Sequence, residues 1–90
     1  MATLHLISGN LGERPADLER LRAVVSPEDT LLLLGPGLYA AVALAGTGLP
    51  LHALHADIAA TGHLPPAVDA IAYADLVSLV ERHEHSIAWP

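Results

Sequence analysis

Residues 31–43 read LLLLGPGLYAAVA, an apolar run delivered into Gly35, Pro36 and Gly37 and then into a stretch of small residues. A strand, a glycine turn and a helix start can cradle a phosphate, because backbone N–H groups converge there. The rest of that chemistry is missing. A Walker loop ends in Gly-Lys-Ser/Thr, and the chain contains no lysine. A dinucleotide fingerprint needs a third glycine, which residues 38–41 do not supply, and Pro36 has removed one N–H donor. The stretch reads as a corner in which Gly37 permits close packing. The loop SGNLGER at residues 8–14 follows a predicted strand, where open sheets gather ligands, but lacks the hydroxyl cluster of a flavin phosphate loop.

The six histidines raise metal binding. His52 and His55 straddle a strand end and a helix start, and His83 and His85 sit two apart at a helix end; neither pair has the four-residue helical spacing that aims two imidazoles at one metal. No metal and no cofactor is expected. His83 is explained by attraction of its protonated form to the negative end of a helix. Ser8, Ser26, Ser78 and Ser86 are candidate nucleophiles, none of them in a Gly-x-Ser-x-Gly elbow. Asp57, flanked by His55, would be one half of an acid–base pair in an enzymatic reading. Its simpler role is a favourable charge in the first turn of a helix. Asp69 and Asp75 read as caps or solvated groups. Ile87 and Trp89 are large side chains that either pack back on the sheet or fill a partner's pocket.

Composition narrows the possibilities further. The chain has no cysteine, so it can form no disulfide or thiolate metal site and has no thiol nucleophile. A net charge of −6, with Arg14, Arg20, Arg22 and Arg82 as the only strong cations, opposes direct nucleic-acid binding. No run reaches the roughly 18 apolar residues of a membrane span, and MATLHLISGN lacks the basic start of a secretory signal. A cytoplasmic protein is expected. With 90 residues, one domain over 1–90, the chain is short for a hydrophobic fraction of 52% and a mean hydropathy of +0.44. The apolar surplus points to a subunit interface.

The elements follow from periodicity. TLHLIS (3–8) alternates as a strand, and ADLERLRAVV carries Leu18, Leu21 and Val25 on one helical stripe after Pro15. TLLLL (30–34) is a strand buried on both faces, and residues 38–45 form a helix. LHAL (51–54) is a strand, and residues 55–61 are a helix ending at Gly62. HLPPA (63–67) is a loop, VDAIAY (68–73) a strand and ADLVSLVERH (74–83) a helix with Leu76, Val77 and Val80 on its stripe; HSIAW (85–89) closes as an edge strand. This alternation predicts an α/β fold with a mainly parallel sheet of four or five strands and helices on both faces.

Laid end to end, LHLISGN, TLLLL, GPGLYAA, LHALHADIAATG and AIAYADLVSLVERHEHSIAW resemble the TusB/DsrH family of small sulfur-relay subunits. The chain departs from the family at Pro36 (acidic in the family), His52 (tyrosine), Thr61 (arginine) and Ala72 (aspartate), and its first helix lacks the cysteine of some DsrH-like members. The resemblance implies a flavodoxin-like, three-layer domain that assembles with TusC/DsrF-like and TusD/DsrE-like subunits into a heterohexamer with two copies of each. It implies a non-catalytic, structural role in persulfide transfer, either for tRNA wobble uridine 2-thiolation or for sulfur oxidation, with the relay cysteine on the TusD/DsrE-like subunit. Gly37, Leu38, Tyr39, Asp57, His83, Ile87 and Trp89 are the expected packing and contact positions. Two alternatives are a homo-oligomer and a stand-alone module holding a small anion or nucleotide at SGNLGER and GPG.

Overall fold

The computed structural model describes residues 2–62 and 65–90. β1 (Thr3–Ile7) leads through a 3-10 turn (Leu11–Glu13) to α1 (Pro15–Val24), and β2 (Thr30–Leu33) leads through a 3-10 segment (Gly35–Ala40) to α2 (Ala41–Ala45). β3 (Leu51–Leu54), α3 (His55–Thr61), β4 (Val68–Ile71), α4 (Tyr73–Arg82) and β5 (His85–Trp89) complete the chain. Gly62 leaves α3 at φ +68°, the left-handed conformation that suits glycine past a helix end. Of the expected loop HLPPA, His63 and Leu64 lie outside the described residues.

The five strands run parallel in the order β4-β3-β2-β1-β5. From β1 to β4 the chain steps one way across the sheet, so right-handed crossovers put α1, α2 and α3 on one face. The return from β4 to the far edge sends α4 over the other. Two cores result. Ile7, Leu21, Leu31, Leu33, Leu38 and Leu44 fill the three-helix side, whereas Leu4, Leu32, Ile71 and Leu79 fill the side under α4. β2 is central and covered twice, so all four of its residues are buried, each leucine stabilising the fold by roughly 2 kcal/mol.

Three local expectations shift. Residues 38–40 wind as a 3-10 segment, and the α-helix starts only at Ala41. The Leu34 N–H donates to the Ile7 carbonyl at 2.8 Å, and Gly37 then sits directly on that carbonyl, where a Cβ would collide. The tighter coil brings the backbone this close. Gly37→Ala is therefore expected to cost about 1–3 kcal/mol by overpacking, whereas Gly35→Ala, with open space around it, should cost only about 1 kcal/mol from its positive φ. Thermal unfolding of the pair checks the contrast.

The fourth strand stops at Ile71, and Tyr73 opens α4, because the Asp75 carboxylate accepts the Ala72 N–H at 3.1 Å and starts the helix early. The buried stripe of α4 is Leu76 and Leu79, while Val77 and Val80 are 42% and 45% exposed. A single step along a helix turns the side chain by about 100°, so choosing Leu79 as the inward residue leaves Val80 and Val77 turned outward.

Candidate functional site

The densest polar arrangement lies inside the three-helix core. Thr3, His5 and Ile7 share one face of β1, and Ile87 and Trp89 lie on the same face of β5 through the register His5 with Ile87 and Ile7 with Trp89. Asp29, one residue before β2, reaches the same face. His5 is 1% exposed, Asp29 3% and Trp89 8%. The Trp89 indole N–H donates to His5 Nδ1 at 3.0 Å, and His5 Nε2 lies 2.9 Å from Asp29 Oδ2. An indole nitrogen can only donate, so Nδ1 is the acceptor and the ring carries its proton on Nε2, which donates to Asp29.

Asp29 also accepts from the Thr3 N–H at 3.0 Å, the Ser26 N–H at 3.0 Å and the Ser26 hydroxyl at 2.9 Å. Burial alone would raise its pKa; the hydrogen bonds from His5, the Ser26 and Thr3 N–H groups and the Ser26 hydroxyl outweigh that and hold it at about 2. The network ties β5, β1 and the turn before β2 into one unit. A cavity of about 300 Å³ opens at its Ser26 end, beside Val25, Pro27 and Leu49, but the Ser26 hydroxyl is bonded to Asp29 and not to His5. The network's chemistry is therefore structural: a buried carboxylate fixes an imidazole, and the imidazole fixes a tryptophan.

The expected site residues are dispersed. Gly37 and Leu38 are buried, and Leu38 shares the core that holds Ile7 and Trp89. Tyr39, on the same segment, is 54% exposed. Asp57 is in the first turn of α3, which packs against that 3-10 segment. His55 and Asp57 are two residues apart on a helix, so their side chains diverge by about 200° and do not form an acid–base pair. His83 lies on the α4 side: its Nδ1 donates to the Leu79 carbonyl at 2.6 Å, and its Nε2 lies 3.1 Å from the Thr30 hydroxyl. Ile87 is 41% exposed on the edge strand, while Trp89 packs back onto the sheet.

The two glycine-bearing loops offer few free donors. The N–H groups of Ser8, Leu11, Gly12, Glu13 and Arg14 are bonded within the fold, as is that of Gly37. A cavity of about 330 Å³ lies between β3, β4 and α4, lined by His52, Asp69, Asp75 and Arg82 among others. His52 Nδ1 sits 3.4 Å from the mostly exposed Asp69 carboxylate without a hydrogen bond. Among the described residues no three His, Asp or Glu side chains cluster as a metal set, and no helix is long and apolar enough to cross a membrane.

His5 and Asp29 escaped the sequence reading. TLHLIS alternates polar and apolar residues as a strand, yet β1 is buried on both faces, His5 with Leu4 and Ile7. The signal was that His5 is in phase with Ile7, on a strand next to TLLLL.

Known proteins supply the context. The family model described as DsrH like protein matches residues 14–86. Protein TusB of Sodalis glossinidius (strain morsitans) is 40% identical over 83 residues, covering 81% of this chain and 87% of that protein. The solution NMR structure of protein Tm0979 from Thermotoga maritima superposes with a TM-score of 0.64 over 90% of this chain and 92% of that one, at 24% identity, which supports the fold. By family match, identity and fold together, the chain belongs to the TusB/DsrH family.

Proposed function

We propose that this chain is a non-catalytic, structural subunit of a cytoplasmic sulfur-relay complex with TusC/DsrF-like and TusD/DsrE-like subunits. Family membership in a chain without a single cysteine is the observation that carries this reading. In a relay step the acceptor thiolate attacks the outer sulfur of a donor persulfide. The donor S–S bond breaks, its inner sulfur leaves as a thiolate, and the acceptor becomes the persulfide. Every participant is a cysteine, so this chain takes no covalent part and acts by holding the cysteine-bearing subunits in place. The cargo goes to tRNA wobble uridine 2-thiolation or to sulfur oxidation.

The bonded loop donors and the dispersal of Asp57 and the histidines favour this role over anion binding or acid–base catalysis. Co-expression with the TusC-like and TusD-like subunits of the same genome should give one co-eluting heterohexamer, with two copies of each. Persulfide label should appear on the TusD-like cysteine and never on this chain. Elution of this chain alone, bound to neither subunit, would overturn the proposal.

A further inference from the structure

The two faces of the sheet are unequally covered: α1, α2 and α3 lie on one, and α4 alone lies on the other. α4 packs Leu76 and Leu79 inward and turns Asp75, Leu79 and Arg82 toward the cavity beside β4. Its opposite flank carries Tyr73, Val77 and Val80, spaced four and three residues apart and 70%, 42% and 45% exposed. This spacing makes one continuous apolar stripe. On the same side of the sheet, the small residues Ser86 and Ala88 of β5 are exposed, and no described helix covers them. Solvated helix flanks ordinarily carry charged side chains, so an aromatic and two valines in line on an exposed flank, beside an open strip of sheet, mark an association surface.

The margin identifies the occupant. Glu81, one residue after Val80, and Glu84, two residues past the end of α4, are exposed, and the only arginine of α4, Arg82, lines the cavity on the other flank. The chain's other three arginines, Arg14, Arg20 and Arg22, belong to α1 and the residue before it, on the opposite face of the sheet. In a two-fold contact through this flank, a second copy would bring the same acidic margin and no arginine to meet it. We propose that the Tyr73–Val77–Val80 flank of α4 is the docking surface for an amphipathic helix of a partner subunit, whose apolar ridge is bordered by lysine or arginine. The assignment rests on the sulfur-relay reading and adds the face and the chemistry of the contact. Valines and the tyrosine ring exclude water at its centre, and the glutamates give register and speed association.

The test uses the whole chain with the co-expressed TusC-like and TusD-like subunits. Val77→Lys should keep the fold by circular dichroism and weaken assembly at least tenfold, while Val42→Lys, on α2 and more exposed at 77% against 42%, should assemble like the parent. Glu81→Lys with Glu84→Lys should weaken assembly and flatten its dependence on salt. Normal assembly by Val77→Lys would overturn the docking face while leaving the sulfur-relay role standing. Failure of the parent chain itself to assemble would overturn that role and this surface with it. An unchanged salt response in the double glutamate variant would overturn the basic partner. Self-association of the isolated chain that Val77→Lys abolishes would make a second copy the occupant and overturn the proposal.

Discussion

Asp29→Ala should lower stability by about 3–5 kcal/mol, against the roughly 5–15 kcal/mol that a folded domain usually has, because it removes one half of a buried polar pair and leaves the other half unsatisfied. The His5 Nε2–H loses the acceptor it has among the described residues, and the Thr3 and Ser26 N–H groups lose theirs as well. Asp29→Asn tests the charge separately. It keeps the volume, but its amide group confronts donors with donors, so a loss of about 2 kcal/mol or more is expected. Urea unfolding at neutral pH measures both.

The same carboxylate sets the acid limb. Its pKa is about 2 in the fold and about 3.8 when free, so the folded protein holds the ionised form more strongly than the unfolded chain does. The resulting stabilisation, of order 2 kcal/mol, is complete above about pH 4, and is lost as pH falls from there toward 2. In the Asn variant this part of the acid limb should flatten. An Asn variant whose stability falls as steeply below pH 4 as the parent's would remove Asp29 from the account.

Much of this architecture is legible in the sequence because the signals are local. The apolar run TLLLL, the stripe Leu18–Leu21, Pro15 at a helix start and Gly62 past a helix end each act within a few residues, and the elements form there, with α1 ending at Val24 so that Val25 follows it in extended backbone, and β2 at Leu33. What was hidden is set by contacts distant in sequence. The inward face of α4 was chosen by Leu79 packing on Leu4 and Leu32 and by His83 meeting Thr30, from elements some fifty residues or more away. His5 and Asp29 look unremarkable singly. Their meaning depends on β1 lying between β2 and β5, a topology that turns a polar residue on an alternating strand into a buried one. The 3-10 winding of residues 35–40 likewise follows from the approach of Gly37 to the Ile7 carbonyl, which GPGLYA does not announce by itself.

Trp89 makes the second large expectation, and two substitutions separate its contributions. Trp89→Ala empties the volume of an indole between Ile7 and the three-helix core, and should cost about 3–5 kcal/mol. It should loosen β5 first, since β5 is an edge strand paired only with β1 among the described strands. Trp89→Phe keeps an aromatic ring there but removes the N–H that His5 Nδ1 accepts, and should cost about 1–2 kcal/mol. The tautomer provides an independent readout. In the parent chain the indole N–H donates to Nδ1, which places the ring proton on Nε2, facing Asp29. Nitrogen NMR of His5 should show an unprotonated Nδ1 and a protonated Nε2. The phenylalanine variant leaves Nδ1 without its donor, so the Nδ1 resonance should move away from its hydrogen-bonded position in the parent. If the two proteins gave the same His5 nitrogen spectra, the indole would not be fixing the ring, and Trp89 would act by volume alone.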